Sequence, residues 1–275
     1  MLSTETLAAR EGFVVTTVAC RGDHARWSEV EAPDGHRIVL VRRGRFRRRT
    51  GGADVDLDAT LGYLAVPGEE ERFAHPAGGD VCTSVTFSPS LWERRPAARA
   101  VYVDARVDLA HRRMLAAARG GDLDYEVTEE LLGLVAVAAE QQVLPKRAAD
   151  RALVAAAREA IIEGAREAEG LCTLAALLKV SPYRLSRSFT RQMGLSLTRY
   201  RNRVRVARAM DRLAEGESSL ASLAADLRFS DQAHLTRTVR EHLGHTPTTL
   251  RRLLALKPGA TTRRFGSNAE VDPPS

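Results

Sequence analysis

The chain has 275 residues, of which 44% are hydrophobic and 28% charged, and its formal net charge is +6. This length allows two domains with buried cores, and the positive charge suits a polyanionic partner. The cysteines are too few and too scattered for a disulfide framework or a zinc finger. The N-terminus lacks the pattern of a signal peptide, and the longest apolar stretch is far below the ~20 residues that span a bilayer. We therefore expect a cytoplasmic protein with no membrane contact.

Short runs rich in Val, Thr and aromatic residues occupy the chain from Phe13 to about Arg106. They are RIVLVRRGRFRRR, LGYLAVPG, DVCTSVTFS and RAVYVDA, and Gly, Pro and Asp separate them. This spacing is typical of a β-barrel or sandwich. In residues 81–87 apolar and polar side chains alternate, so one face of this strand belongs to a core and the other can line a pocket.

The stretch HPAGGDVC contains the closest approach to a ligand set in the β-rich part, with His75, Asp80 and Cys82. A thiolate and an imidazole suit zinc or copper, but no H-x-H pair accompanies them and the set is incomplete. The alternative is a Gly-Gly hairpin turn in which Cys82 is a small hydrophobic residue. We favour the turn, predict no metal and no cofactor, and keep the three residues as a secondary hypothesis for effector binding.

An arginine run, Arg42 to Arg49, invites a nucleic-acid interpretation. Its context is a strand pair that ends in Gly51-Gly52, so the run can also be a solvated face or a charged sheet edge. We favour a solvated face or edge over nucleic-acid binding.

The apolar periodicity becomes helical from Asp108 to about Leu144. Two helices are predicted, in AHRRMLAAARGG and EVTEELLGLVAVAAEQQVL, with Pro145 ending the second. The apolar stripe Leu131, Leu134, Val135 and Ala138 is either a dimer contact or packs on its own domain. A further helix is predicted over Arg151 to Glu167.

Residues 171–194 and 220–244 repeat one pattern: a short apolar helix, a tight turn and a second helix. The matched pairs are Leu174/Leu223, Leu178/Leu227, Ser181/Ser230, Leu185/Leu235 and Phe189/Val239. Each matched serine is a candidate cap of the helix that follows. The repeat predicts two helix-turn-helix units.

The second helices of these units, about residues 182–193 and 231–243, should bury an apolar pair and expose a polar face. The exposed residues are Tyr183, Ser186, Arg187 and Thr190 in the first and Gln232, Ala233, Thr236 and Arg237 in the second. Arg pairs with guanine, Gln pairs with adenine, and small groups contact the thymine methyl. Such faces also occur on ordinary solvated helices, but two copies in register favour DNA.

A helix predicted from Leu195 to Gly216 joins the two units, and Arg201, Arg205, Arg208 and Arg212 recur along it. Its length of about 30 Å is close to the ~34 Å between successive major grooves on one face. A phosphate backbone would relieve the repulsion among these arginines. Residues 171–256 carry 15 basic and 6 acidic residues, so the positive charge is concentrated on the repeat.

The segments SPYRLSRSF, MGLSLTRYRNRVRVARAM, SLASLAADLRFSDQAHLTRTV and LGHTPTTLR resemble the DNA-binding domain of AraC/XylS-type bacterial transcriptional regulators. The resemblance covers about Ala152 to Arg252 and implies that seven of the eight exposed residues named above, all but Thr190, face the bases. Where this family commonly has a turn glycine, the chain has Lys179 and Arg228. A positive φ there would cost about 1 kcal/mol. We name Lys179, Arg191, Arg205 and Arg228 as candidate phosphate contacts.

The β-rich part, with PGEEERFAHP, is similar to the cupin-like effector domain of such regulators. We predict an α+β protein of two domains: a cupin-like β-barrel followed by helices, then an all-α domain with two helix-turn-helix motifs. The expected division is 1–107 sensor domain, 108–147 coupling or dimerisation helices, 148–256 DNA-binding domain and 257–275 disordered tail.

The sequence thus predicts a DNA-binding transcriptional regulator without enzymatic activity. The expected partner is a double-stranded DNA operator, and the resemblance adds RNA polymerase, a small-molecule effector and a homodimer. Three alternatives stay open: a cupin-type metalloenzyme or metal/thiol sensor fused to a DNA-binding domain, a methyl-accepting DNA-repair protein, and a non-specific architectural DNA binder.

Overall fold

A computed structural model describes residues 2–22, 25–88, 100–120, 123, 125–143 and 150–255. The N-terminal part is an antiparallel sheet. Its strands are β1 (Leu2–Arg10), β2 (Phe13–Cys20), β3 (His36–Arg43), β4 (Arg45–Thr50), β5 (Ala53–Asp58), β6 (Leu61–Ala65), β7 (Glu71–Ala74), β8 (Asp80–Phe87), β9 (Ala100–Tyr102) and β10 (Gln142–Val143). The first strand begins before the predicted start at Phe13.

The strands follow the order β1-β2-β8-β3-β6-β5-β4-β7, and β9 pairs with both β6 and β10. This curled antiparallel sheet confirms the predicted β-rich N-terminal domain in the form of a half-barrel, because its end strands β1 and β7 are not paired with each other in the described residues. The strand β8 lies between β2 and β3, so residues 38 to 74 positions apart in the chain become direct neighbours.

Both faces of the sheet are buried, as the alternation along β3 shows. Ile38 and Leu40 belong to one apolar cluster, and Val39 and Val41 belong to another. The first cluster is covered by α1 (Ala105–Gly120) and α2 (Glu126–Glu140). The second lies inside the curl of the sheet around Phe46.

The two covering helices correct the sequence prediction in three places. The first begins at Ala105, before the predicted start of the helical segment, and the second ends at Glu140, so Gln142 and Val143 form a strand instead of a last helical turn. The suggested dimer face is an internal face, since Leu131, Leu134 and Ala138 are at most 2% exposed and pack on the sheet. Pro145 and the predicted tail lie outside the described residues.

The arginine run does not lie at a sheet edge. Arg42 and the exposed Arg43 belong to β3, and the other four arginines belong to β4, which lies between β5 and β7. Arg48 is only 1% exposed and binds Glu71 at 2.7 Å, and Arg49 binds Asp54 at 2.6 Å. The run therefore serves the stability of the sheet domain, and the solvated-edge interpretation is wrong for Arg48.

The C-terminal part is all helical. Its helices are α3 (Arg151–Glu163), α4 (Leu171–Leu177), α5 (Pro182–Met193), α6 (Leu197–Ala214), α7 (Leu220–Asp226), α8 (Gln232–Leu243) and α9 (Pro247–Leu254), with a short 3-10 helix at Arg166–Glu169. The helices α4 and α5 share one apolar cluster and α7 and α8 another, while α6 contributes to both. None of the described helices is long and apolar enough to cross a membrane.

The two parts of the chain share their cores. Tyr102 of β9 packs in the cluster of the first helix pair, and Ala105 and Leu109 of α1 pack in the cluster of the second. Polar contacts reinforce this junction: Arg158 of α3 binds Asp58 at 2.5 Å, and the Tyr200 hydroxyl lies 2.9 Å from that of Thr60. The helical part is thus held directly against the sheet domain.

Candidate nucleic-acid interface

The helices α5 and α8 are built alike from local signals. Each is closed at its C-terminal end by a glycine in the left-handed conformation, Gly194 and Gly244. Ser181 caps α5 by accepting a hydrogen bond from the amide of Arg184 at 3.2 Å. The corresponding cap of α8 is Asp231, which accepts from the amide of His234 at 2.6 Å, so the sequence-based choice of Ser230 is wrong by one residue.

The apolar pairs of both helices point inward, as predicted. Leu185, Phe189, Leu235 and Val239 are all 0% exposed. The opposite faces carry the eight predicted base-reading residues. Tyr183, Arg187, Thr190, Gln232, Ala233 and Arg237 are exposed, and Ser186 and Thr236 are half-buried.

Within α5, Arg187 and Tyr183 form a pair on this exposed face. The Arg187 guanidinium donates to the Tyr183 hydroxyl at 2.6 Å and lies 5.5 Å from the centre of its ring. Tyr183 is 69% exposed. The pair therefore presents a planar hydrogen-bond donor that is oriented before any ligand arrives.

The turns that precede α5 and α8 have the positive φ that the family's usual glycines suggested. Lys179 has φ 55° and Arg228 has φ 58°, and no other non-glycine residue in the described chain has a positive φ. Both side chains are exposed. Arg228 also forms an ion pair with Glu169, so a phosphate would have to compete with this carboxylate.

Three arginines along α6 have partners within the protein. Arg201 donates to the carbonyl of Glu169, Arg208 donates to the carbonyl of Ile162 at 2.7 Å, and Arg212 binds Glu217 at 2.7 Å. Each of these three side chains thus has a protein partner. That a phosphate backbone relieves the repulsion among them stays a prediction.

Arg205 differs from these three arginines in its surroundings. Its guanidinium lies 5.5 Å from the centre of the Phe229 ring, and the described part of the chain gives it no carboxylate partner. Partial burial, together with the charges of Arg201 and Arg208, lowers the pKa of Arg205 to about 10. The local field therefore favours an anion here.

A family model described as a helix-turn-helix domain matches residues 174–253. These residues are an AraC-type DNA-binding domain. The chain is a DNA-binding transcriptional regulator, as its sequence predicts. No curated protein sequence matches it.

Several solved structures are similar to this chain or to one of its parts. ToxT from Vibrio cholerae, with an unsaturated fatty acid bound, has a TM-score of 0.36 and 9% identity, over 90% of this chain and 97% of that one. The C-terminal domain of AraT, a response regulator from Geobacillus stearothermophilus, has a TM-score of 0.37 and 22% identity, over 41% and 94%. A cupin superfamily protein from Desulfitobacterium hafniense has a TM-score of 0.28 and 13% identity, over 32% and 77%.

The sheet domain brings together His75, Asp80 and Cys82, the three residues of the effector-binding hypothesis. His75 Nδ1 lies 2.5 Å from an oxygen of Asp80, and the Cys82 thiol donates to the other oxygen at 3.1 Å. Burial, with Asp80 beside it, raises the pKa of the Cys82 thiol. Cys20 joins this cluster, and sequence reasoning missed it because the pairing of β2 with β8 is not visible in the sequence.

Proposed function

We propose that α5 and α8 insert into successive major grooves on one face of an operator and that their exposed residues select its bases. The supporting observation is that two helices of the same construction expose polar faces at the two ends of one joining helix. The joining helix α6 has 18 residues, which corresponds to about 27 Å. This length is close to one turn of B-DNA, ~34 Å, once the diameters of the flanking helices are included.

Individual roles follow from chemistry and exposure. Arg187 and Arg237 are the candidates for bidentate contacts with guanine, and Gln232 is the candidate for adenine. Ala233 would contact a thymine methyl group. Lys179, Arg191, Arg205 and Arg228 would contact phosphates, which position the domain and make its affinity dependent on salt.

The sheet domain would control this binding through the junction already described. Arg158, Tyr200 and Arg203 of the helical part all contact residues of the sheet domain. A signal that changes the sheet domain would therefore reach α6 directly. We further infer that such a regulator acts on RNA polymerase at a promoter. A homodimer would have to use another surface than the internal face of α2.

The test is selection of bound sequences from a random duplex pool by the full chain at near-physiological salt. We expect enrichment of two short blocks about 10 base pairs apart. Arg187→Ala should erase information in one block and Arg237→Ala in the other. Arg72→Ala removes an exposed arginine of the sheet domain and serves as the control, with both blocks retained. Enrichment of one block only, or loss of both blocks in each single variant, would contradict the assignment.

A further inference from the structure

Four side chains with metal-binding chemistry meet at one end of the sheet domain. Cys20 is the last residue of β2, Asp80 and Cys82 lie at the start of β8, and His75 lies between β7 and β8. Their exposed fractions are 6%, 5%, 3% and 8% in that order. His75 and Cys82 both bond to the Asp80 carboxylate, and buried groups of this kind are stable only when they are paired in this way or coordinate a metal.

The strand register places these groups on one face. Cys20 is directly opposite Asp80 in the β2–β8 pair, and residues two apart on a strand share a face, so Cys82 lies on the same side as Asp80. One ligand atom each from Cys20, His75 and Asp80 lies within 4.8 Å of the other two. The Cys82 sulfur lies 3.1 Å from Asp80 Oδ2.

Zinc bonds of about 2.0 to 2.3 Å in a tetrahedron place the ligand atoms roughly 3.3 to 3.8 Å apart. The contacts of Asp80 with His75 Nδ1, at 2.5 Å, and with the Cys82 sulfur, at 3.1 Å, are shorter than this spacing. Cys82 is not part of the group of three whose ligand atoms lie within 4.8 Å of one another. A bound cation would therefore require the Asp80 carboxylate to turn away from His75 and the Cys82 sulfur to move in as the fourth ligand.

Two glycines allow the backbone segments around the cluster to approach one another closely. A side chain at Gly79 would collide with the carbonyl oxygen of Cys20, and one at Gly44 would collide with the carbonyl oxygen of Gly79. The loop between β7 and β8 therefore packs closely against the end of β2. The ring of Phe46 stacks on His75 at 5.6 Å with an interplanar angle of 26° and fixes the orientation of the imidazole. Rigid support of this kind is what a metal ligand requires.

We propose that Cys20, His75, Asp80 and Cys82 form a binding site for a zinc-class divalent cation. The donor set decides the class, because thiolate and imidazole ligands favour zinc over magnesium or calcium, which prefer oxygen ligands. Bound metal would tie β2, β8 and the β7–β8 loop together. On β8, the hydroxyl of Thr83, next to Cys82, lies 2.9 Å from His111 Nε2 on α1, the helix that packs into the second helix-turn-helix unit. The site is thus connected to the DNA-binding part, but the proposal stands without DNA binding.

The first experiment is elemental analysis of the full chain, purified without chelators from cells grown with added zinc chloride. We expect about one zinc per chain in the wild type and in Cys172→Ala, which removes the exposed third cysteine. Cys20→Ala and Cys82→Ala should each lose most of the metal. A metal-free wild type, or equal zinc content in the wild type and both variants, would overturn the proposal.

The second experiment uses cobalt chloride as a spectroscopic probe and does not depend on the folding of any variant. The wild type, stripped with a chelator, should take up Co²⁺ and show the near-ultraviolet thiolate charge-transfer bands and strong visible bands of a tetrahedral site. Added zinc should abolish both sets of bands and raise the thermal midpoint of the stripped chain, whereas magnesium should do neither. Weak octahedral bands only, or a Cys20–Cys82 disulfide in the freshly purified chain, would overturn the proposal. Operator binding is measured separately, so its failure and failure of the metal site are distinguishable.

Discussion

The Nε atom of Arg203 donates a hydrogen bond over 2.6 Å to the carbonyl oxygen of Val103, and this contact joins α6 to the sheet domain. The same guanidinium also donates to the carbonyl of Ala59 at 3.2 Å and lies 3.3 Å from Asp108. The side chain is only 3% exposed. An arginine from the middle of the helix that joins the DNA-reading units is therefore bound within the protein and unavailable to phosphates.

Arg203→Met should lower the free energy of unfolding by about 3 kcal/mol, because it removes one partner of a buried charge pair. Burial acts to raise the pKa of Asp108, but Arg112 and Arg203 together hold it below the usual value. Urea unfolding at neutral pH measures the loss. Arg199→Met, one turn earlier at an exposed position, should change the value by less than about 0.5 kcal/mol. Equal effects of the two substitutions would refute a structural role for Arg203.

A second prediction concerns the hydroxyl pair that links the domains. Tyr200→Phe and Thr60→Val should each destabilise the chain by about 1 kcal/mol, since each removes one side of the 2.9 Å contact between their hydroxyls. The double variant should lose less than the sum of the two, which gives a coupling energy of about 0.5 to 1.5 kcal/mol. Strict additivity would mean that the two hydroxyls do not interact.

The helix-turn-helix units are predictable because their signals are local. Ser181, Gly194 and the pair Leu185/Phe189 act within one or two helical turns, and the bounds of α5 follow from them. The cap of α8 was missed because Ser230 and Asp231 are adjacent and both can cap a helix. In the second copy one more residue separates the matched serine from the matched leucine, Ser230 to Leu235 against Ser181 to Leu185. The choice of cap depends on where this additional residue is accommodated.

The contacts between distant segments are not predictable in this way. Periodicity identifies an arginine on α6 but does not reveal its partner, so it could not show that protein groups bind Arg201, Arg208 and Arg212. Cys20 joins His75 and Asp80 only because β2 pairs with β8. The apolar face of α2 is equally compatible with a sheet and with a second chain, and only the fold decides between them.

The turn residues give a third prediction. Lys179→Gly should stabilise the chain by about 1 kcal/mol, because glycine adopts the φ of 55° without the strain of a side chain. Lys179→Ala is the matched control, since it removes the charge but keeps the strain, and it should be close to neutral. Arg228→Gly should gain less, because it also loses the surface ion pair with Glu169. If glycine and alanine at position 179 gave equal stability, the strain would be absent.

Buried His111 gives a pH dependence. Burial lowers its pKa to about 4, with Arg42 and Arg112 acting in the same direction and Asp108 against it. In the unfolded chain its pKa is about 6.5. Protonation thus favours unfolding, so the stability from neutral His111 is present above pH ~6.5 and is lost as the pH falls towards ~4. Between pH 7.5 and 5 the loss should be about 2 kcal/mol.

His111→Gln tests this prediction, because glutamine cannot titrate but can keep a hydrogen bond to Thr83. Unfolding is followed with urea at a series of pH values. The stability of the wild type should fall more steeply below pH ~6.5 than that of the variant. Parallel curves would show that His111 is protonated in the folded chain or that other groups dominate.

The two classes of DNA contact should differ in their salt dependence. Arg205→Ala should weaken binding equally on all operator sequences and reduce the slope of log affinity against log salt by about 1, if Arg205 contacts phosphate as proposed. Arg237→Ala should cost about 1 to 3 kcal/mol on the cognate operator and little on an operator with its guanine replaced. Fluorescence anisotropy titrations on both duplexes at several salt concentrations separate the two outcomes. A uniform loss with a reduced slope for Arg237→Ala would make it a phosphate contact and leave base selection by α8 to Gln232 and its neighbours.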